Sequence, residues 1–591
     1  MASLNFHPLF FYILLLSCLS NWSCAELSGN DTDHLALLSF KNAIISDPLN
    51  ITASWNESSH FCNWNKHCRV VKIHLNSSKF VGSLSPAVGN LSFLRVLWLS
   101  NNSFTGRILG QIGKLSRLRA LNLANNSFSG EIPRNISRCS NLNFLHLGDN
   151  ELIGSIPMEL RSLDKLETLL LQLNKLTGEI PAYLGNHSSL LAIALGDNHF
   201  HGRIPDIFGG LKHLVFLDFA LNSLSGTIPM SIFNLSSLHT LQLNFNKLEG
   251  DLPSNEGCNL PSLNFFILVG NQLTGKVPAS LLNSTSIMEF GIDANNFTGE
   301  VPAFGRQKDL YWLALAQNHF GNGMLDDMNF MYSLQNCTRL EQLILDDNNL
   351  GGVLPKYIGN MSNLLWFNIG GNLIHGNIPT ENSQLHNLQV LSLKKNNFTG
   401  MIPESIGQLR QLSKLHLHHN KFSGEIPHSL GNWTRLIELN LRTNNLQGTV
   451  PSSLGSCKFL SRLYLNGNQL SGPLPKEMFE LPLIEFDLSN NHLTGYFPAE
   501  IAAGNLIGLR NLIYMNLSYN NLSGEIPSSF GTLTSLRELY LGNNALQGVI
   551  PASLSSLRSL EYMDLSHNHF VGKIPTFLDE LVSLKCLKFV L

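Results

Sequence analysis

An asparagine recurs along most of this 591-residue chain, usually at intervals of 24 residues. Each one lies three residues after the last apolar residue of an L-x-x-L-x-L pattern, as in Leu94-Arg-Val-Leu97-Trp-Leu99-Ser-Asn-Asn102. Self-similarity at a fixed period of this length is typical of proteins built by stacking one small unit many times. The asparagines stand at positions 102, 126, 150, 174, 198, 222, 246, 271, 295, 318, 348, 372, 396, 420, 444, 468, 491, 520, 544 and 568.

The L-x-L triplet predicts a short strand whose two leucines point to one side and whose middle residue points to the other. One repeat cannot bury its leucines alone, so neighbouring repeats must stack and supply the core between them. The recurring asparagine has two amide donors and an acceptor, which can satisfy backbone groups at a buried bend. The pattern therefore predicts an α/β leucine-rich-repeat solenoid with short parallel strands on its concave face.

The second half of the repeat reads x-G-x-I-P, as in Leu152-Ile-Gly154-Ser-Ile-Pro157. Glycine permits positive φ, whereas proline lacks a backbone donor and does not suit a central strand. This half is expected to cover the side or back of the coil. Only 14% of the residues are charged and the formal net charge is −3, so the composition does not indicate a nucleic-acid partner.

The chain divides into four predicted segments. Residues 1–25 resemble a cleaved secretory signal, with the apolar run Leu9–Leu16 and the small residues Ser23-Cys-Ala25. Residues 26–69 form an N-terminal cap, residues 70–583 hold about 21 leucine-rich repeats, and residues 584–591 begin an incomplete further repeat. A membrane anchor is the alternative for the first segment, but its apolar core is shorter than the roughly 20 residues of a span. The remaining chain contains no predicted membrane span.

The cap carries a helix signal and a cysteine pair. Asn30-Asp-Thr-Asp33 supplies capping residues before an apolar helix over Leu35–Ile45, which Asp47-Pro48 ends. Cys62 and Cys68 lie just before the first repeat, where they are assigned to a disulfide of a secreted cap. A zinc site is the alternative for that pair, but no second ligand pair is present. Cys139, Cys337 and Cys457 replace a repeat leucine and are expected to be buried thiols.

The cap and the repeats together resemble the extracellular part of plant leucine-rich-repeat receptor-like kinases. The resemblance is carried by Thr32–Lys41, Ser54-Trp-Asn56, Phe61-Cys-Asn-Trp64 and the L-x-G-x-I-P repeats, and it covers nearly the whole chain. It implies a plant-type superhelix with a helical and disulfide cap. The family usually has Gly-Val between that tryptophan and the second cysteine, where this chain has Asn65-Lys-His67, so the disulfide geometry is an open point.

A long repeat, Gly321–Thr338, stretches one asparagine interval to 30 residues and is similar to the immune-receptor subfamily that perceives flagellin or elongation-factor peptides. The family carries a membrane helix and a kinase after its ectodomain, and neither is present in this chain. There is no H-R-D or D-F-G segment, so the chain is expected to be a truncated receptor without enzyme activity. A second long interval, from Asn491 to Asn520, indicates a bulged loop of unknown role.

N-glycosylation sequons predict which faces are free, because a glycan is bulky and solvated. Asn76, Asn101, Asn125 and Asn516 fall on strand-face positions, so the strand face from the fourth repeat to the eighteenth is predicted to be free of glycans. The 18 candidate sites are Asn30, Asn50, Asn56, Asn76, Asn90, Asn101, Asn125, Asn135, Asn186, Asn234, Asn283, Asn296, Asn336, Asn360, Asn397, Asn432, Asn516 and Asn521.

Within the glycan-free face, repeats fourteen to seventeen predict a basic patch that would receive an acidic side chain or a peptide carboxylate. The alternative is a solvated face without a partner. A metal site at His416, His418 and His419 is disfavoured, because His416 and His418 project outward with no carboxylate nearby in sequence. The patch consists of Lys394, Lys395, His416, His418, His419, Arg442, Arg462 and Tyr464.

Aromatic residues that project from upstream strands are candidate binding anchors, although some of them would simply fill gaps. With Asp346 they extend the predicted ligand region over repeats seven to seventeen; they are Phe216, Phe265, Tyr311, Trp312 and Trp366.

We expect an extracellular domain of a cell-surface receptor that recognises a peptide or protein elicitor in plant immune or developmental signalling. The resemblance implies a co-receptor leucine-rich-repeat kinase as partner, and a place in the apoplast or, within a full-length receptor, at the plasma membrane. A secreted inhibitor or decoy that acts on a pathogen wall-degrading enzyme is the alternative, disfavoured by the 21 repeats. No catalytic set, metal site or cofactor is predicted.

Overall fold

A computed structural model of the chain describes residues 30–56, 69–254, 257–498, 501, 506–573 and 575–589. The signal segment, Cys62 and Cys68 lie outside these ranges, so the signal and the disulfide stay predictions. The chain forms two compact units, Met1–Leu176 and Thr177–Leu591. None of the helices in the described ranges combines the length and apolar character that a membrane crossing demands.

The N-terminal helix is confirmed, but its bounds differ from the prediction. It spans Asn30–Asn42, and a strand, Ile44–Ser46, then pairs antiparallel with Val81–Ser83. The helix ends before the predicted Ile45 because the backbone there hydrogen-bonds to the edge of a sheet instead of continuing the helical ladder. Phe40 is fully buried, as expected for a side chain that packs on the first repeats.

Asp33 lies inside the helix and not before it, so its assignment as a capping residue is wrong. Its fully buried carboxylate accepts hydrogen bonds from Arg69 Nε at 3.0 Å, Arg69 Nη2 at 3.1 Å and the Val70 backbone at 2.9 Å. A buried charge is tolerated only when it is paired and hydrogen-bonded in this way. The pair fixes the helix to the start of the first repeat.

In the first unit, the L-x-L triplets form short parallel strands, as predicted, and a second sheet runs through the glycine of each x-L-x-G-x segment. We call them the L-x-L sheet and the flank sheet. The L-x-L strands are Lys72–His74, Val96–Trp98, Ala120–Asn122, Phe144–His146 and Thr168–Leu170. The flank strands are Val81–Ser83, Ser103–Arg107, Ser127–Glu131 and Glu151–Gly154, and the strand Lys175–Glu179 contains the boundary between the units.

The second unit repeats this arrangement. Its L-x-L strands are Ala192–Ala194, Phe216–Asp218, Thr240–Gln242, Phe265–Ile267, Glu289–Gly291, Trp312–Ala314, Gln342–Ile344, Trp366–Asn368, Val390–Ser392, Lys414–His416, Glu438–Asn440, Arg462–Tyr464, Glu485–Asp487, Tyr514–Asn516, Glu538–Tyr540, Tyr562–Asp564 and Cys586–Lys588. Its other flank strands are His199–Gly202, Ser223–Thr227, Lys247–Asp251, Gln272–Thr274, Thr298–Gly299, His319–Phe320, His375–Gly376, Asn397–Met401, Lys421–Glu425, Asn445–Thr449, Gln469–Gly472, His492–Gly495, Asn521–Gly524, Ala545–Gly548 and His569–Phe570.

A short 3-10 helix follows the I-P step of most repeats, and the proline usually occupies its cap position in an extended conformation. In the long repeat, an α-helix, Met331–Leu334, takes this place. The 3-10 helices are Pro86–Asn90, Gly110–Lys114, Arg134–Arg138, Met158–Ser162, Ala182–Asn186, Asp206–Gly210, Met230–Asn234, Ala279–Asn283, Lys356–Asn360, Thr380–Gln384, Glu404–Gln408, His428–Asn432, Ser452–Ser456, Lys476–Glu480, Ile507–Asn511, Ser528–Thr532, Ala552–Ser556 and Thr576–Glu580.

The recurring asparagines perform the predicted role. Asn372 donates through Nδ2 to the carbonyls of Leu345, Ile369 and Gly370 at 3.0 to 3.1 Å, and its Oδ1 accepts from the Leu350 backbone at 3.0 Å. The same contacts recur in both units, so each asparagine joins its own repeat to the one before it. We call this row the asparagine ladder.

The predicted buried cysteines are confirmed. Cys139, Cys337 and Cys457 are at most 2% exposed, and each thiol contacts a carbonyl of the preceding repeat at 3.3 to 3.4 Å. Burial raises the pKa of the Cys139 thiol to about 12. These cysteines therefore act as small core residues.

Candidate ligand-recognition surface

In the second unit, the residues immediately before, between and just after the two apolar residues of each L-x-L triplet form one face, which lies apart from the leucine core. We call it the open face. Successive strands align without a register shift, so equivalent positions of neighbouring repeats form straight rows. Each row can present one kind of side chain over many repeats at a spacing of about 4.8 Å.

The first row contains the predicted aromatic anchors. Phe216, Phe265, Trp312 and Trp366 are the first residues of alternate strands, and Tyr311 immediately precedes one of those strands. Trp366 is 43% exposed, and the others are half-buried. Alternate strands lie about 10 Å apart, so the anchors are distributed along the face and do not form one cluster. The strands between them place Thr240, Glu289 and Gln342 in the same row.

The indole of Trp312 packs against a glycine of the neighbouring strand. A Cβ atom added at Gly291, on the neighbouring strand, would lie 2.4 Å from Cη2 and Cζ3 of the Trp312 indole. The indole therefore reaches across Gly291, and only glycine leaves room for it. Glu289 and Asp293 lie on either side of that glycine in sequence. Burial raises the pKa of each of these two carboxyl groups to about 7, and the charge of Asp346 contributes at Asp293.

Asp346 and Lys394 belong to repeats that are separated by the Gly370-Gly371 repeat. A Cβ atom at Gly370 would lie 2.7 Å from Lys394 Cγ, so the lysine stem lies across that glycine. Burial raises the pKa of Asp346 and the positive charge of Lys394 opposes the rise. Lys395 is exposed and has φ of 50° at the end of its strand. Neither lysine forms an ion pair with a described residue.

The three histidines lie side by side. The ring centroids of His416 and His418 are 5.9 Å apart, and those of His418 and His419 are 5.5 Å apart. His418 is only 7% exposed, so the expectation that it projects into solvent is wrong: its ring packs beside those of His416 and His419. Burial, followed by the charge of Arg442, lowers the pKa of His418 to about 3. His418 is therefore neutral and adds no charge to the patch.

Two glutamates that the sequence analysis passed over lie within the predicted basic patch. Glu438 Oε1 lies 2.9 Å from His416 Nε2, and Glu438 Oε2 lies 3.7 Å from Arg462 Nη1. Arg462 Nε also lies 3.5 Å from Glu485 Oε1, and the Tyr464 hydroxyl donates to Glu485. The hydrogen bond from His416 lowers the pKa of Glu438. The predicted basic patch therefore contains acidic groups as well, because Glu438 and Glu485 lie against His416 and Arg462.

Arg442 differs from His416 and Arg462. It forms no ion pair in the described part of the chain, and its buried Nε atom lacks a hydrogen-bond partner. Similar unpartnered buried atoms occur in the adjacent repeats at Ser392 Oγ, His418 Nδ1 and Asn466 Oδ1. Four consecutive repeats thus leave polar atoms unsatisfied on one face, although such atoms cost about 1–3 kcal/mol each.

A shallow hollow of about 370 Å³ adjoins this row. Burial raises the pKa of Tyr514 to about 12, so its phenol stays a neutral donor, and it donates to Asp487 Oδ2 at 3.3 Å. The hollow offers both donors and acceptors at the edge of the basic row. It is lined by Glu438, Asn440, Arg442, Tyr464, Glu485, Asp487 and Tyr514.

Sequence reasoning missed Glu438, Glu485 and Ser392 because it selected basic and aromatic residues and passed over other types in the same rows. The signal was available, since Glu438 occupies the position that Lys414 and Arg462 occupy in the neighbouring repeats. A comparison of all residue types at equivalent positions of the repeats would have identified these three residues.

Seven of the sequons lie away from the strand face. Their asparagines are exposed, and all but Asn336 end a 3-10 helix. Glycosylation itself stays a prediction. The seven are Asn90, Asn186, Asn234, Asn283, Asn336, Asn360 and Asn432.

Family models match several parts of the chain. A leucine-rich-repeat N-terminal domain matches residues 30–66, a leucine-rich-repeat region matches residues 322–481, and leucine-rich repeats match residues 93–115, 117–139, 482–503 and 510–570. The LRR receptor-like serine/threonine-protein kinase EFR of Arabidopsis thaliana is 40% identical over 105 residues, 17% of this chain and 10% of that kinase. The receptor kinase-like protein Xa21 of Oryza sativa subsp. japonica is 46% identical over 81 residues, 12% of this chain and 8% of Xa21.

A solved structure extends the similarity over most of the chain. It is the Arabidopsis receptor kinase HAESA in complex with the peptide hormone IDA and the co-receptor SERK1, which is 33% identical with a TM-score of 0.83. The alignment covers 95% of this chain and 93% of that chain. The stacked parallel sheets, the helical cap and the asparagine ladder agree with this similarity, and the chain therefore belongs to the leucine-rich-repeat ectodomains of plant receptor kinases.

Proposed function

We propose that this chain is the extracellular ligand-recognition part of a cell-surface receptor in plant immune or developmental signalling. It binds a peptide or protein ligand on the open face of the second unit. The similar HAESA ectodomain is known in complex with a peptide hormone, and EFR is a receptor-like kinase, which supports this class of function. The proposed site is the part of the face between Trp312 and Tyr464.

The observation that carries the proposal is the state of Arg442. Its guanidinium group is half-buried, has no ion pair with a described residue and adjoins a hollow that could receive a ligand group. Arginine is always charged and its planar donors match a carboxylate in two-point contact. An unpaired, partly desolvated arginine therefore favours an acidic side chain or a terminal carboxylate of the ligand, with Lys394 as a second contact.

The test reverses both charges in the Lys394→Glu, Arg442→Glu variant. Peptides that bind the purified chain are selected from a random peptide library, and their affinities for the variant are measured by calorimetry. We expect a loss of at least about 30-fold, because a charge pair that becomes repulsive costs 2 kcal/mol or more.

The matched control is Arg410→Glu, Arg435→Glu. Both arginines are exposed and lie in the turns before the strands Lys414–His416 and Glu438–Asn440, so the net charge changes equally while the open face stays intact. Undiminished binding by the Lys394→Glu, Arg442→Glu variant would show that the acidic-group hypothesis is wrong.

We also propose a co-receptor kinase with its own leucine-rich repeats as a second partner, since the HAESA complex contains SERK1. The proposed location is the extracellular side of the plasma membrane. Ligand-dependent co-precipitation of the chain with the SERK1 ectodomain tests this step. Equal recovery with and without a selected peptide would count against it.

A further inference from the structure

The open face carries a second set of ionisable side chains without ion-pair partners, and these side chains are acidic where the first set is basic. Glu289, Asp293, Asp346 and Asp347 lie on two repeats, and none of them forms an ion pair with any residue that the structure describes. The backbone of Ala316 donates to Asp293 at 2.6 Å, and this contact brings no cation to the carboxyl group. We call these four residues the acidic zone.

Trp312 gives the acidic zone a shape. Its indole occupies the space above Gly291 between the strand positions of Glu289 and Asp293. An aromatic ring bordered by carboxylates attracts an ammonium or guanidinium group through both the ring quadrupole and the charges. The zone is therefore complementary to a lysine or arginine side chain.

Lys394, Lys395 and Arg442 form no ion pair with a residue that the structure describes, and we call these three residues the basic zone. Ser392 and His418 lie among them, only 4% and 7% exposed, with Ser392 Oγ and His418 Nδ1 unpartnered. Buried polar atoms without partners are rare in folded proteins and mark a position at which another group is expected. This second observation is independent of charge and points to a ligand in the basic zone.

The two zones are held apart on one rigid sheet. The uncharged strand Trp366–Asn368 separates them, and Gly370 and Gly371 follow it. At about 4.8 Å per strand, Asp346 and Lys394 are roughly 10 Å apart along the sheet, and Asp346 and Arg442 roughly 19 Å. The positive charge of Lys394 acts on Asp346 across this gap, but the two side chains form no ion pair.

We propose that the ligand is a dipolar polypeptide segment that places a lysine or arginine in the acidic zone and an aspartate, glutamate or terminal carboxylate in the basic zone. An extended chain advances about 3.3 Å per residue, so the two charges are about three to six residues apart. The inference rests on the proposed function and adds the charge order of the ligand. Trp366, exposed between the zones, contacts the residues that join them.

The experiment is a double-mutant cycle between protein and peptide. From the library-selected peptides, each basic residue is replaced by alanine and tested against the wild-type chain and against Asp346→Asn. For the cationic residue that occupies the acidic zone, we expect each single change to weaken binding about tenfold. The combined change should lower the affinity no more than about threefold below that of either single change, because both changes remove the same contact.

The matched controls are Glu300→Gln, an exposed carboxylate outside the L-x-L strands, and Arg435→Gln. The mirror cycle pairs Arg442→Gln with alanine replacements of the acidic residues of the peptide. Strong coupling in both cycles, with no coupling in the controls, supports a dipolar ligand.

The outcomes separate the two proposals. If no library peptide binds the wild-type chain, the proposed function fails and this inference fails with it. If peptides bind and couple to Arg442 but lose nothing in Asp346→Asn, the receptor function stands and the dipolar inference is overturned. Selected peptides that bear charges of one sign only would overturn it as well.

Discussion

The asparagine ladder and the open face come from the same repeats but treat polar groups in opposite ways. Asn372 is 5% exposed, and its side chain satisfies three carbonyls and one backbone amide. In the next two repeats, Ser392 and His418 are similarly buried, and each leaves a polar atom unpartnered. The hydrogen bonds of the ladder are thus satisfied within the protein, whereas some buried polar atoms of the open face have no partner there. A repeat protein can stabilise itself with one row of side chains and leave another row available to a partner.

The largest effect should come from removing a ladder amide. Asn372→Leu keeps a similar volume but leaves the Leu350 amide without its acceptor. The carbonyls of Leu345, Ile369 and Gly370 each lose one donor and keep another. We expect a loss of about 3–5 kcal/mol in the free energy of unfolding. Urea denaturation followed by circular dichroism measures it. Asn387→Ala, which removes one exposed hydrogen bond to the Ser362 carbonyl, is the control and should cost less than about 1 kcal/mol. Equal losses would contradict the ladder's role.

Next in size is the pH-dependent cost of a buried carboxyl group on the open face. Asp218 is 1% exposed, and burial, followed by the charge of Asp197, raises its pKa to about 7. The folded protein therefore holds a proton that the unfolded chain releases, so this group lowers stability as the pH rises from about 4 to about 7.

Asp218→Asn should remove that dependence. It is expected to stabilise the protein by up to about 4 kcal/mol at pH 8 and by little at pH 4, since the amide keeps the oxygen that accepts from Ala220. Thermal denaturation at the two pH values measures this difference. The exposed Asp326→Asn is the control. A stabilisation that is the same at both pH values would show that the carboxyl group is not the cause.

A smaller loss of stability is expected when a side chain is added beneath the indole of Trp312. Gly291→Ala forces the indole to move, which should cost about 1–3 kcal/mol and shift the tryptophan fluorescence. Gly210→Ala is the matched control, because a Cβ atom there meets nothing within 4 Å. If Gly291→Ala leaves both stability and fluorescence unchanged, the indole does not pack against Gly291.

The smallest effect is expected at Glu438. Glu438→Gln weakens its contacts with His416 and Arg462, but these side chains are partly exposed, so the change in unfolding free energy should stay below about 1 kcal/mol. The same variant removes one negative charge from the face, while Arg462 keeps its contact with Glu485. A loss above about 2 kcal/mol would mean that the face contributes to stability as the ladder does, and the comparison between them would fail.

Much of this fold was predictable from the sequence because the same pattern of apolar residues and asparagine recurs in nearly every repeat. Asn372 and its equivalents could be assigned a hydrogen-bonding role from spacing alone. The end of the first helix could not be predicted, because Ile44–Ser46 leaves the helix for a strand partner, Val81–Ser83, that lies far along the chain. Asp33 was similarly misassigned because its partner, Arg69, is 36 residues away.

The sequence predicted where the candidate site lies, but it did not predict which of its charged side chains are paired. The sequence identified Trp312, Lys394 and Arg442 as outward-facing residues on the strand face. It could not show that Glu438 neutralises Arg462 while Arg442 stays unpaired, because these outcomes depend on side-chain contacts between repeats. His418 shows the same limit, since strand alternation predicts its direction but not the neighbours that bury it.

The sequence by itself determined the stacked architecture, the ladder and the rows of outward residues, because a short period leaves one way to bury the leucines. Only the tertiary structure decided which charges on the open face are compensated. The physical reason is distance: periodicity fixes which side of a strand a residue faces, whereas pairing requires two side-chain atoms from different repeats to meet within a few ångströms.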